Sequence, residues 1–350
     1  MTVTLWMGVA RPQVDLRPES GDLLPYGDDL LAATIDITDR QALPPSHHPV
    51  TKGRNIMTAD RPIVVGTDGS PSALQAVSWA AKEAALRNAP LTVLTTTFVP
   101  GAYGFSVGLP PSFFEEEELE AKKRLARAAE VAADAVPGHS LEIHTVLGTE
   151  TPAGELVERS KTARMVVVGA NRQGIIERMF LGSVSSAVAT HAHCPVAVIH
   201  GLPDTDITAL AGPVVVGVDG SAHTEPAIAM AFEEAELRHT ELVAVHAWSD
   251  VDLHLAFEGG TDPTWMQEVV KDETARLSER LAGHAEKYPD VKVRTVVVMD
   301  QPTHGLREEA ENAQLLVVGS RGRGGFTSLL LGSTSRALMH SVNCPLLIVR

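Results

Sequence analysis

The chain is short of positive charge, has almost no cysteine and no long apolar run, and each shortage removes a class of function. Its 29 lysines and arginines face 44 aspartates and glutamates, a net charge of −15 with histidine neutral. A broad basic face for nucleic acid is therefore not expected. An anionic ligand would have to be held locally, by backbone N–H groups and a few arginines. No apolar run reaches the roughly 18 residues of a membrane span. The first residues, MTVTLWMGVARPQVDLRPESGD, lack the basic start and apolar core of a signal peptide, so the expected location is the cytoplasm. The two cysteines, Cys194 and Cys344, each precede a proline and stand 150 apart. Matching positions in two copies of one unit predict buried thiols, not a disulfide. Two nucleotide signatures are also missing. No lysine follows a glycine loop as Gly-Lys-Ser/Thr, and the turns GTDGSPS and GVDGSAH lack the Gly-x-Gly-x-x-Gly of a dinucleotide site.

What is present is a duplication. Met165–Val188 and Leu315–Arg336 each read as an apolar strand, a glycine-containing loop and a helix start; Gly319 minus Gly169 is 150, as is Gly332 minus Gly182. A length of 350 residues fits two domains of about 150 residues each. The expected organisation is a first domain over 61–200, a linker over 201–212 and a second domain over 213–350. Residues 1–60 lie outside the repeat and hold Pro12, Pro18, Pro25, Pro44, Pro45 and Pro49. They read as a disordered extension, with Asp28–Asp39 open to a short helix or strand.

Each copy opens on an apolar strand ended by Asp-Gly-Ser (Asp68-Gly69-Ser70, Asp219-Gly220-Ser221). An apolar-faced helix follows, about Ala73–Arg87 and Glu225–Arg238. Second strands begin at Leu91 and Leu242, and long helices run over about Phe113–Ala135 and Thr264–Ala285. Glu118/Lys122 and Glu120/Arg124, four apart, predict an exposed face on the first of these. Third strands (Leu141–Leu147, Val291–Val298), third helices (about Thr151–Ala163, Thr303–Ala313) and fourth strands (Met165–Val168, Leu315–Val318) precede the glycine loops. Helices from Ser183 and Ser333 and the final strands Pro195–Ile199 and Pro345–Val349 close the copies. Regular alternation predicts the α/β class: two Rossmann-like domains, each a five-stranded parallel open sheet with helices on both faces. The final strands are short, apolar and uncharged, and such edges invite pairing between the two copies or between two chains.

In an open α/β sheet ligands bind beyond the carboxyl ends of the strands, where strand order reverses. Asp68 and Asp219 end the first strands, Gly169 and Gly319 the fourth. A carboxylate accepts bonds from vicinal ribose hydroxyls, and glycines let the backbone approach phosphates. The first turns Ser183-Val184-Ser185 and Ser333-Thr334-Ser335 offer hydroxyls and free N–H groups to an anion. No cluster of His, Cys or acidic residues has the spacing of a structural metal site; His191-Ala192-His193-Cys194 is not repeated in the second copy.

These residues resemble the universal stress protein family, whose nucleotide motif is Gly, two residues, Gly, nine residues, Gly-Ser/Thr. Gly319, Gly322, Gly332 and Ser333 match it in full. The resemblance covers about Arg61–His200 and Gly212–Arg350. It implies ATP as ligand, with or without Mg2+, and dimers through the final strands. It implies that Asp68 and Asp219 take the ribose, and that Thr67, Val218, Thr96 and Ala247 flank the adenine. It assigns the phosphates to Gly169, Gly182, Ser183, Gly319, Gly322, Gly332 and Ser333. No residue is marked as catalytic. The first copy departs from the motif: Arg172 stands at the second glycine, with Gly174 two residues on as partial compensation. If that position needs positive φ, the departure costs on the order of 1 kcal/mol, so the second site is expected to be the better formed. A regulatory ATP-binding module, a slow ATPase or autophosphorylating enzyme, and an interaction protein with a vestigial site all remain open.

Overall fold

A strand that is apolar at consecutive positions needs cover on both faces, and the architecture supplies it. The computed structural model describes residues 2–6, 32–36, 61–98, 111–170, 182–200, 211–247, 264–298, 302–322 and 331–350. Two strands fall in the extension, β1 (Thr2–Trp6) and β2 (Ala32–Asp36), paired antiparallel with Thr2 opposite Asp36. A wholly disordered extension is thus corrected at these two segments, whose β-branched and apolar residues suit a ladder.

The first copy runs β3 (Ile63–Gly66), α1 (Pro71–Arg87), β4 (Leu91–Thr96), α2 (Pro111–Asp134), β5 (Ile143–Gly148), α3 (Pro152–Arg159), β6 (Met165–Ala170), α4 (Ser183–His191) and β7 (Val196–His200). The second runs β8 (Val214–Val218), α5 (Glu225–Leu237), β9 (Leu242–Ala247), α6 (Thr264–Lys287), β10 (Val293–Val298), α7 (Pro302–Ala310), β11 (Leu315–Gly319), α8 (Ser333–Ser341) and β12 (Leu346–Val349). Helix α1 starts where Ser70 Oγ accepts from Ala73 N at 3.3 Å, with Pro71 in its first turn, and stops at Asn88 in the left-handed conformation (φ 50°). Helix α3 ends earlier than expected. Ser160 Oγ donates to Val157 O (2.6 Å) and accepts from His193 N (2.8 Å), and Lys161 and Thr162 form tight turns instead of a further helical turn.

All ten strands of the two copies form one sheet in the order β10-β9-β8-β11-β12-β7-β6-β3-β4-β5. Within each copy the strands are parallel, and order reverses between β3 and β6 and between β8 and β11. Alternate residues serve opposite faces: Ile63 and Val65 join the core under α1 and α2, Val64 the core on the other side. Both cores run through both copies.

The copies meet at β7 and β12, which pair antiparallel with Leu347 opposite Ala197. The final strands therefore cover each other within one chain. Each already has a neighbour on both sides, so the dimer through these strands that the resemblance implies finds no free edge. The join is reciprocal. His200 Nε2 lies 2.8 Å from Met339 O, and Arg350 Nη2 donates to Ala189 O at 2.6 Å; each pair is related to the other by the 150-residue offset. Below the sheet, Glu83 and Arg87 of α1 interlock with Glu234 and Arg238 at the end of α5. Arg87 binds Glu83 and Glu234, and Arg238 binds Glu234 and Glu83, so each arginine joins one acid of its own copy and one of the other. Glu233 on the rim accepts from Arg87 (2.7 Å) and Arg164 (3.2 Å).

Cys194 and Cys344 are buried thiols outside any disulfide, as matching positions should be. Burial pushes the Cys194 thiol up to about 12, and the thiolate is the reactive form. A thiol reagent such as Ellman's at pH 8 is expected to titrate neither cysteine until the chain is unfolded; rapid native labelling would contradict their burial. No helix among the described residues is long and apolar enough to cross a membrane.

Candidate functional site

The Asp-Gly-Ser turns are built alike. Gly69 and Gly220 adopt φ of 83° and 78°, the left-handed region where a side chain is strained. Asp68 Oδ1 accepts from Ser70 N at 2.9 Å, and Asp219 Oδ1 accepts from Ser221 N (2.8 Å) and Ser221 Oγ (2.7 Å). One oxygen of each carboxylate therefore closes its turn, leaving Oδ2 for another role. In the strand behind, Thr95 Oγ1 donates to Thr67 O (2.7 Å), and His246 Nδ1 lies 2.7 Å from Val218 O in the second copy.

Across the switch point, β6 and α1 come close enough to exclude any side chain. A Cβ on Gly169 would lie 2.9 Å from Ser72 O and 3.1 Å from Ala73 Cα. This glycine is required by helix–strand packing. Helices α4 and α8 begin at Gly182 and Gly332, whose extended backbones (φ −53° and −64°) need no glycine, and neither helix has a side-chain cap. Their leading N–H groups are thus left for an anion. Ser185 Oγ donates to Gly169 O (2.9 Å) and Ser335 Oγ to Gly319 O (2.6 Å). These buried hydroxyl hydrogens, expected to reach phosphate, instead fasten the helix start to the strand end.

In the first copy these parts enclose a cavity of about 480 Å³. It is lined by Thr67, Asp68, Thr96, Gly169, Gly182, Ser183, Val184 and Ser185, all residues singled out from sequence, together with Ser70, Ser72, Thr95, Phe98 and Arg124 among others. Gly174 and Arg172 lie outside the described residues. In the second copy Val218 is buried at the end of β8 and Ala247 ends β9. Gly319, Gly332, Ser333 and Thr334 repeat the strand end and helix start, and Gly332 N donates to Ser320 O at 2.7 Å. Gly322 meets Asp219 directly: a Cβ there would lie 2.8 Å from Asp219 Oδ2, and that oxygen is buried without a hydrogen-bond partner among the described residues. Gly322 is not among the positive-φ glycines. Its constraint is space beside a carboxylate, which corrects the conformational reason expected from sequence.

Arg124 is the residue that sequence reasoning missed. It was expected to pair with Glu120 on an exposed face, but Glu120 binds Lys123 (2.8 Å) and Arg124 turns into the cavity. A signal existed. Arg124-Leu125-Ala126 and Arg280-Leu281-Ala282 are both followed, after two residues, by Ala-Glu. Arg280 minus Arg124 is 156, and an offset of 150 passes over the match. In the second copy Arg280 clasps the turn, Nη1 donating to Ser221 O (2.7 Å) and Nη2 to Gly220 O (2.5 Å).

The model of the universal stress protein family matches residues 61–200 and 211–350. A universal stress protein of Mycobacterium tuberculosis is 42% identical over 293 residues, covering 82% of this chain and 96% of that protein. One from Mycolicibacterium smegmatis is 41% identical over 293 residues, with the same coverage of 82% and 96%. Among solved structures, a universal stress protein from Archaeoglobus fulgidus superposes with a TM-score of 0.59 at 20% identity, covering 83% of this chain and 98% of that one, a likeness of fold.

Proposed function

The chain belongs to the universal stress protein family, and on that premise we propose that it is a cytoplasmic, ATP-binding regulatory module in stress adaptation. The observation that carries this reading is the first-copy cavity, which joins a carboxylate at one strand end to an uncapped helix start at another. Asp68 suits ribose hydroxyls, Thr67, Thr96 and Phe98 wall the base, and the N–H groups at Gly182-Ser183-Val184 meet the phosphates. A cavity of about 480 Å³ falls in the ordinary range for small-ligand pockets. Among the described residues no group of three His, Cys, Asp or Glu is placed to hold a metal.

Chromatography of the small molecules released on denaturing the purified protein is expected to yield ATP. Added ATP at about 100 times its dissociation constant should stabilise the fold by roughly 2.7 kcal/mol. Neither released nucleotide nor stabilisation would leave an interaction protein with a vestigial site. Labelled ATP turned over to ADP or phosphoprotein, and turnover lost in Ser183 or Ser333 variants, would make the module an enzyme.

A further inference from the structure

The arginine that the repeat places over each Asp-Gly-Ser turn has two different occupations. In the second copy a 3-10 turn, Ala222–Thr224, precedes α5, and Arg280 donates to the carbonyls of Gly220 and Ser221. In the first copy α1 begins directly at Pro71, and Ser70 O accepts from Leu74 N at 2.9 Å as the first bond of that helix. Arg124 is bonded to neither. Its Cγ and Cδ lie 3.2 Å from where a Cβ on Gly69 would stand, so its stem is held against the turn. Its Nε is buried with no hydrogen-bond partner among the described residues, and its side chain lines the cavity. Glu120, the acid four residues before it, hydrogen-bonds Lys123 and meets Arg124 only through its charge.

We propose that Arg124 reads the anion of the first site, its guanidinium donating to phosphate oxygens of the bound nucleotide. This rests on the ATP-binding reading and deepens it: it assigns a fixed positive charge to one site and not to its twin. Two facts point to a ligand anion. The Nε–H of this half-buried arginine is buried without an acceptor, which is costly, and a phosphate supplies several acceptors in the geometry of the guanidinium fork. Among the described residues that line the cavity Arg124 is the basic one, in a chain whose net charge is −15. The first site thus holds phosphate by side-chain charge as well as by helix N–H groups. In the second, the matching arginine is tied to the turn. The first site should accordingly discriminate nucleotide from nucleoside more strongly.

The test is calorimetry with ATP and with adenosine on the full chain carrying Asp219→Ala, which confines binding to the first site. Arg124→Gln keeps the stem over Gly69 and removes the charge. It is expected to weaken ATP by about tenfold to a hundredfold, the scale of one charge-assisted hydrogen bond, and adenosine by less than about twofold. Arg124→Lys should recover part of the loss, and the loss should shrink as salt rises. Equal weakening of ATP and adenosine, or no weakening of either, would overturn the assignment while leaving the site's function in place. If the Asp219→Ala chain binds neither ligand, the functional reading fails and this assignment with it.

Discussion

Arg87→Ala is expected to cost the folded chain about 3–5 kcal/mol, read as a lower urea midpoint, because it leaves two buried carboxylates to share one cation. Glu83 and Glu234 expose 1% and 0% of their side chains, and Arg87 exposes 1%. Two guanidiniums serve two carboxylates, so removing one leaves a net buried charge. The control is Arg164→Ala: Arg164 reaches Glu233 at 3.2 Å on a partly exposed rim, and its loss should cost less than about 1 kcal/mol. Replacing all four charged residues by apolar ones of similar volume should be near neutral, since much of the cost lies in stranding a charge. A loss of 3–5 kcal/mol from Arg164→Ala as well would show that the quartet has no special weight. The pH dependence has a sign. Burial by itself raises the Glu83 carboxyl, but Arg238 and Arg87 outweigh it and hold it at about 2. Its stabilising contribution is therefore full above 4.5 and is lost as pH falls from 4.5 towards 2. Glu234, deeper and beside Glu83, is drawn upward by burial. With two cations facing the two acids the ionised pair is favoured, so the direction at Glu83 governs. Acid should loosen the join between the copies.

The quartet shows where sequence reading stopped. Glu83 and Arg87 are four apart on a helix, the spacing of an ordinary solvated pair. What buries them is α5 of the other copy, brought close only because β7 pairs with β12. That pairing was legible in two uncharged apolar edges of equal length, but the choice between one chain and two was not; it depends on whether the linker lets the copies meet. The alternation of strands and helices and the strand ends that meet at the first cavity followed from local pattern, because apolar runs, turn residues and the 150-residue offset agree at every level. Ser185 and Ser335 donate their hydroxyl hydrogens to the strand-end carbonyls of Gly169 and Gly319, a nearer acceptor than sequence pattern shows. Gly322 was singled out for conformational freedom when the constraint is the Asp219 carboxylate, a contact between residues about a hundred positions apart that no local rule contains. Arg124 was hidden by unequal segment lengths on either side of α2 and α6, which shift the register of the repeat from 150 to 156.

Asp68→Ala should remove most ATP binding from the first site, by about a hundredfold or more if both ribose hydroxyls donate to the carboxylate. Asp68→Asn separates the causes: it keeps an oxygen for Ser70 N and removes only the charge. Binding by Asp68→Asn close to that of the unsubstituted chain would reduce Asp68 to a turn residue. The second site should respond differently, because Asp219 Oδ2 lies under Gly322 and a ribose must displace Gly322 to reach it. That displacement opposes binding, while the unpartnered oxygen gains an acceptor role when it succeeds. Calorimetry on Asp219→Ala reports the first site and on Asp68→Ala the second. The first is expected to be the tighter, the reverse of what the intact glycine motif alone suggests, because Arg124 is available there and Arg280 is not. Equal affinities would show that displacing Gly322 costs little and that one guanidinium adds little. A tighter second site would mean that the loop glycines outweigh both.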